Sequence, residues 1–559
     1  VLGSEIAALC VKGRQNYLCL YRWYQHRSSP QLSLVDDEDG ARIEQWLEHT
    51  ETGDRAELAW LTDRSPLWPK ISALSHQCFG NECPENGSCF ISRLRKKAGA
   101  ARLLIVNHHL YFSDLVLRQR GFGELLPRHE AVIFDEAHHL EQVATTFFGS
   151  VFGQYQVYDL VSDIVRQAEA DLDPDNSAQI MAMARGVKQR IDAFAGLFPV
   201  QRGRFNLTDF AQSQRSWPEQ VQSVADALQR CADRLAAGGS EVWSALAERS
   251  DELRRNLLLI ALPDPGGRST SHVYWYERRE RSITLSATPV HVADDLQQTL
   301  YATVPNCLLT SATLTTGNRF DYLSRRLGLP ESVATLQLKS PFPYQEQALI
   351  YIPDNNFPEP AQAGYEAALA QKILELLTIT KGRALVLFTS FKGMDGVADA
   401  LIGRLTYPIL VQGTAARSTL LNRFRREKDS VLLAVASFWE GVDIPGESLS
   451  AVLIDKLPFE VPSDPVVQAR MRAIDNEGGN PFFDFQVPRA VLTLRQGVGR
   501  LMRSSRDAGL IAILDTRLFK KRYGKIFLDS LPSAPVVRDT DSVARFFAGL
   551  AAHSEHQEA

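Results

Sequence analysis

Three absences narrow what this 559-residue chain can be. No apolar run approaches the ~18 residues that cross a bilayer; the longest, Leu257-Leu-Leu-Ile-Ala-Leu262, is the size of a helix core. There is no excess of basic charge. Lys and Arg total 61 against 66 Asp and Glu, a net charge of −5, so any nucleic acid has to be met through a local basic groove. No G-x-x-x-x-G-K-[ST] phosphate loop occurs; the nearest string, Gly524-Lys525-Ile526, has neither the hydroxyl nor the glycine loop. Cysteine is scarce too, and seven in a chain of this size exclude a disulfide scaffold. The first residues show no basic start, long apolar core or small-residue cleavage site, so the expected compartment is the cytoplasm, with no membrane partner.

What is present is ordinary in composition, with 45% hydrophobic and 23% charged residues, and too long for one core. Short apolar, β-rich runs alternate with helical patterns in two blocks. The first block holds Arg102–Asn107, Ala131–Phe134 and Cys307–Ser311. The second holds Ala348–Ile352, Arg383–Phe388, Pro408–Val411, Val431–Val435, Ala451–Asp455 and Leu510–Leu514. This alternation predicts parallel sheets flanked by helices, hence an α/β chain with two such domains. From about Tyr155 to Leu262 the apolar residues fall at helical spacing, as in Leu160, Ile164, Val165 and Ala168, which predicts a helical insertion. A second insertion holds Cys19 to Cys89.

Asp135-Glu-Ala-His138 closes the run Ala131–Phe134 and puts two adjacent carboxylates at the C-terminal edge of a strand, where open α/β sheets bind ligands. Nucleotide hydrolysis uses such a pair: one carboxylate holds Mg²⁺, usually through water, and the other orients or deprotonates the attacking water. An acidic turn after a strand is the bland alternative. Ser311-Ala-Thr-Leu314 follows the Cys307 strand, and its hydroxyls, Ser311 and Thr313, are placed to couple nucleotide state to a neighbouring groove. Ser286-Ala-Thr-Pro289 is a second copy, interrupted by its proline, so Ser311 is the chosen one. In Gln496-Gly-Val-Gly-Arg-Leu-Met-Arg503, helical spacing predicts Gln496, Arg500 and Arg503 on one face, as arginine fingers for a γ-phosphate or as a salt-bridged surface helix. Ser437-Phe-Trp-Glu-Gly-Val-Asp443 offers backbone at Gly441 and a carboxylate at Asp443 to link phosphate and strand.

Cys78, Cys83 and Cys89 lie close together, with Cys19 upstream. Gaps of four and five residues with one remote partner fit a four-thiolate iron–sulfur cluster better than zinc, whose cysteines pair two to four residues apart; unligated thiols are the third reading. Cys10, Cys231 and Cys307 sit in apolar contexts and are expected in cores.

Taken in order, the motifs resemble a known family. They are Lys12-Gly-Arg-Gln-Asn-Tyr-Leu-Cys19, the three clustered cysteines, Val106-Asn-His-His109, Asp135–His138, Thr310–Leu314, Ser437–Asp443, Asp455-Lys-Leu-Pro-Phe459 and Gln496–Arg503. Together they are similar to the XPD/DinG iron–sulfur helicases of superfamily two, and among bacterial members to the YoaA branch. The resemblance covers nearly the whole chain. It implies two RecA-like motor domains, the first formed by residues 1–13, 93–150 and 270–330 and the second by 331–559. An iron–sulfur domain (14–92) and a helical arch domain (151–269) are inserted in the first. It also implies a 4Fe–4S cluster on Cys19, Cys78, Cys83 and Cys89, with ATP and Mg²⁺ as the other cofactors. Asp135 and Glu136 become the Walker B pair, His138 a relay to domain closure, and Gln496, Arg500 and Arg503 γ-phosphate sensors. Lys12, Arg14 and Ser390 fall in strand-binding motifs, and Phe459 is a candidate base-stacking aromatic. The implied substrates are single-stranded and forked duplex DNA, translocation is 5′→3′ in DNA repair or replication, and replisome or single-strand-binding accessory proteins and the nucleoid are the implied company. In the family the phosphate loop precedes the Lys12 motif, so this sequence is expected to be a fragment of a longer protein. The competing expectation is a cluster-bearing DNA-binding scaffold without ATPase activity.

Overall fold

A computed structural model describes residues 6–28, 34–62, 65–74, 78–119, 124–263, 271–435, 438–439 and 448–558. The chain forms two compact units, one of residues 1–135, 139–309 and 464–469 and the other of 136–138, 310–463 and 470–559.

In the first unit the strands are β1 (Ala8–Val11), β2 (Leu103–Val106), β3 (Ala131–Phe134), β4 (Ser150–Gly153), β5 (Gly203–Asn206), β6 (His272–Arg278), β7 (Ile283–Pro289) and β8 (Asn306–Leu309). β1 pairs in parallel with β2, and β3 with β8, as two separate two-stranded sheets. Parallel sheets normally have both faces covered. Among the described residues, Leu103 and Ile105 of one sheet and Ile133 and Leu308 of the other are 45%, 56%, 63% and 57% exposed. Cys10 lies exposed on β1, which corrects its expected place in a core, and Cys307 is only partly buried; Cys231 is buried as expected.

The segment between β1 and β2 carries the cysteines and has its own core of Leu18, Trp23, Ile43, Leu58, Trp68, Ile71 and Phe90. Beyond β4, long helices at Gln154–Asp171, Pro174–Ala195, Trp217–Ala236 and Glu241–Ala261 pack around Val157, Leu160, Ile164, Val187, Ile191, Leu228 and Leu257. Asp173 caps the second of these helices, accepting from the backbone of Asp175 and Asn176, and Ser240 caps the fourth. Helical spacing alone does not account for all of this region. β4, β7, β6 and β5 form, in that order, an antiparallel sheet, with β5 arising inside the helical stretch. Ser286 belongs to β7 in this sheet, opposite Trp275 and Val151.

The second unit is built on β9 (Ala348–Tyr351), β10 (Ala384–Leu387), β11 (Ile409–Val411), β12 (Val431–Ala434), β13 (Ala451–Ile454), β14 (Gly509–Ile513) and β15 (Val536–Val537). All run parallel, in the order β11-β12-β10-β13-β14-β9-β15. Every residue of β9, β10, β12, β13 and β14 is buried, because helices cover both faces. That is why these strands read as unbroken apolar runs.

Candidate nucleotide and strand site

β3 ends in Phe134, buried and set edge-on to His108 with ring centroids 5.7 Å apart. Burial pushes the His108 imidazole below its ordinary value, and the ring is hydrogen-bonded to the Asp135 backbone. The strand end is thus clamped just where the carboxylates emerge. Glu136 adopts a left-handed backbone with φ 49°, which costs a residue with a side chain about a kcal/mol or more and clusters at functional sites. The turn is fixed by the Ala137 N–H, which donates to the Thr310 carbonyl at 3.0 Å.

Glu136, His138, Ser311 and Thr313 come together in the second unit. Ser311 Oγ donates to Glu136 Oε2 at 2.8 Å and lies 2.9 Å from His138 Nδ1. Thr313 Oγ1 lies 3.3 Å from the same nitrogen, and Thr313 N donates to Ser311 Oγ at 3.1 Å. The Glu136 carboxylate, whose Oε2 also lies 3.3 Å from His138 Nδ1, remains about half exposed. This arrangement can aim a carboxylate at a water molecule and report its state to the Ser311 loop.

The expected arginine face needs correction. The helix runs only over Val487–Val498, with Gly499 as its C-cap, so Gln496 is in its last turn while Arg500 and Arg503 lie in turns beyond it. The helix ends before i+4 and i+7 can line up with Gln496. Arg500 Nε instead donates to the Trp439 carbonyl at 2.9 Å, and the backbone N–H groups of Arg503 and Ser504 donate to Asp507. Gly497 permits this packing: a Cβ there would meet Trp439 at 3.0 Å and Leu387 at 3.1 Å. Gly441 and Asp443 lie outside the described residues.

The strand-binding candidates fall in both units, Lys12 and Arg14 in the first and Ser390 and Phe459 in the second. Lys12 forms an ion pair of 2.6 Å with Asp54, which holds its ammonium above its ordinary value. Arg14 is pushed below its ordinary value by burial and by Arg95, against the opposing pull of Cys78 and Cys89. Ser390 caps the helix Phe391–Leu401, accepting from Gly393 N at 3.2 Å. Phe459 is half-buried among aromatics: stacked on Phe482 at 5.6 Å, edge-on to Tyr523 and Phe527, with the Arg517 guanidinium 5.5 Å from its ring centroid.

Cys19 feels the charges of Cys83 and Cys89, and Cys83 those of Cys89 and Cys78, so the four thiols share one neighbourhood. Burial, before those neighbours, pushes both Cys19 and Cys83 up. Among the described residues no group of three or more Cys, His, Asp or Glu side chains is arranged to hold a metal ion.

Two residues were given no role by the sequence reading, one of them inside a motif it named. Asp455, at the end of β13, is buried and accepts from Thr389 N, Thr389 Oγ1 and Lys456 N at 2.7–3.2 Å. Burial pushes its carboxyl up to about 6. Arg495 binds the Ser311 loop, its guanidinium donating to the Thr315 and Ala312 carbonyls.

A chain with a parallel seven-stranded α/β unit, a cysteine segment, a helical insertion and a carboxylate–histidine–hydroxyl cluster has the XPD-like helicase fold. One solved XPD helicase shares it with a TM-score of 0.56, 13% identity, and coverage of 96% of this chain and 87% of that one. A helicase C-terminal domain model matches residues 373–534. The chain belongs to the XPD/DinG-like superfamily 2 helicases, in the YoaA branch. It is 36% identical over 548 residues to the ATP-dependent DNA helicase YoaA of Haemophilus influenzae, covering 97% of this chain and 84% of that one. It is 32% identical over 554 residues to the ATP-dependent helicase DinG of Mycobacterium tuberculosis, covering 93% and 79%. Among the described residues no helix is long and apolar enough to cross a membrane.

Proposed function

We propose that the protein is an ATP-driven motor that moves 5′→3′ along single-stranded DNA and opens forked duplexes in DNA repair or replication. The observation that carries this reading is the cluster in which Ser311 bridges Glu136 and His138 beside the end of β3. Asp135 would hold the Mg²⁺ that a bound nucleotide brings, and Glu136 would aim and deprotonate the attacking water. His138, Ser311 and Thr313 relay the outcome, and Gln496, Arg500 and Arg503 answer to the γ-phosphate, with Gly441 and Asp443 linking it to the strand. Lys12, Arg14 and Ser390 hold the strand backbone and Phe459 lies beside its bases.

In the same reading residues 1–13, 93–150 and 270–330 are the first motor domain and 331–559 the second, with 14–92 and 151–269 as cysteine and arch domains. Cys19, Cys78, Cys83 and Cys89 hold a 4Fe–4S cluster that stiffens the cysteine domain; their spacing and common neighbourhood support this. The exposed apolar side chains of β2, β3 and β8 support a further strand-and-helix layer that carries the phosphate loop in a longer protein. Replisome or single-strand-binding proteins are its company at the nucleoid. The absent phosphate loop favours a second reading, a DNA-binding scaffold without ATPase activity.

ATP turnover with and without single-stranded DNA separates the two. The 559-residue chain is expected to be inactive. The full gene product is expected to be stimulated by DNA, and Glu136→Gln in it to lose about 100-fold or more. A full gene product that binds DNA without hydrolysing ATP selects the scaffold. Iron and sulfide in anaerobically purified protein support the cluster, and zinc in their place overturns it.

A further inference from the structure

We propose that Arg495 is a positioning residue that carries nucleotide state from the Glu136–His138–Ser311 cluster to the helix end bearing Gln496 and Arg500. Its guanidinium reaches the loop after β8 at two places. Nη1 donates to the Thr315 carbonyl at 2.8 Å and to Thr315 Oγ1 at 3.1 Å, and Nη2 donates to the Ala312 carbonyl at 3.0 Å. The same loop is held from the other side by Ser311 Oγ on Glu136 and His138. Residues 310–315 have no regular secondary structure, so these side-chain bonds set their conformation. The path is short and continuous: Glu136 and His138, the Ser311–Thr315 loop, Arg495, then Gln496 and, through the helix end, Arg500 against Trp439. Contiguous hydrogen bonds between two sites that respond to one ligand are what coupling requires.

The residue type fits the task. The partners of Arg495 are carbonyls and a hydroxyl, with no carboxylate among them, and burial works against its charge. The planar fork engages two carbonyls three positions apart at once, whereas a lysine ammonium, a point donor, cannot reproduce that geometry. A movement of the Ser311 loop on binding or losing phosphate is therefore passed to the helix.

This inference rests on the helicase reading and is tested in the full gene product with Arg495→Met and Arg495→Lys. Three quantities are compared: thermal stability, affinity for a labelled oligo(dT) without nucleotide, and the change in that affinity on adding a non-hydrolysable ATP analogue. Arg495→Met is expected to keep the melting temperature and to keep nucleotide-free affinity within about twofold. It should lose the nucleotide-dependent change, with DNA-stimulated turnover falling about tenfold or more. Arg495→Lys should fall between. In the 559-residue chain, hydrogen exchange at 311–316 should quicken in Arg495→Met. Unchanged nucleotide dependence in Arg495→Met overturns the proposal. So does a parallel fall in melting temperature, nucleotide-free affinity and turnover, which marks a purely structural contact. A wild-type protein without DNA-stimulated turnover removes the helicase reading itself, before any variant is compared.

Discussion

The two parallel-strand regions of this chain differ in one respect that matters. In the second unit, five strands are buried along their whole length, with helices on both faces. In the first unit, β1, β2, β3 and β8 have the same apolar character, yet every second side chain on one face meets water. Strand composition alone therefore does not make a finished sheet; a covering layer does. The sheet with both layers carries the Ser390 and Asp455 loops in a closed frame, whereas Asp135 follows a two-stranded sheet with exposed side chains.

Truncation should break this symmetry most clearly. Leu453→Ala in β13, at 0% exposure, is expected to cost about 3–4 kcal/mol in denaturant unfolding. Ile133→Ala in β3, 63% exposed, should cost less than about 1 kcal/mol in this chain. If a further layer covers β3 in the longer protein, the second cost rises toward the first there; equal small costs in both proteins would remove the covering layer.

Asp455 sharpens the comparison with a smaller effect. Its folded-state value of about 6 lies above the ordinary 3.8, so the ionised form is penalised in the folded protein. The sign follows: between roughly pH 4 and 6 the folded state binds more protons, and stability falls as pH rises through that window. Asp455→Asn should raise stability at pH 7.5 by about 2 kcal/mol and leave it unchanged near pH 4. Thermal melts at the two pH values check it, and an equal gain at both would mean that repacking rather than charge is responsible. The smallest effect belongs to Lys12 and Asp54 in the first unit, partly exposed and screened. Lys12→Met should change stability by less than about 1 kcal/mol, and a larger loss would show that the pair anchors the cysteine segment.

How much was readable from sequence follows the same division. The nine apolar runs assigned to sheets are all strands, since short β-rich apolar runs between helical patterns favour parallel sheets. The antiparallel sheet was not readable as such: Gly203–Asn206 is polar, lies within helical composition, and becomes a strand only by pairing with Arg278–Trp275. Asp135, Glu136 and Ser311 were legible as motifs, but the bond from Ser311 to Glu136 spans 175 positions. Arg500 and Arg503 were misplaced on a helix because helical spacing from Gln496 was extended past Val498, where the helix ends. Arg495 gave no signal of its own: its partners are mainly backbone carbonyls about 180 positions away, and a backbone acceptor carries no residue type.

The private core of the cysteine segment has an optical consequence. Trp23, Trp46, Trp60 and Trp68 all lie there, four of the eight tryptophans in the chain. Intrinsic emission is thus weighted toward one small region rather than spread over the molecule. Trp23 and Trp68 are nearly fully shielded, while the Trp46 indole donates to Glu57 at 2.9 Å. Loosening of this segment alone should shift the emission to longer wavelength before either parallel sheet opens, giving a spectroscopic reading of the cysteine region in the intact chain without any added label.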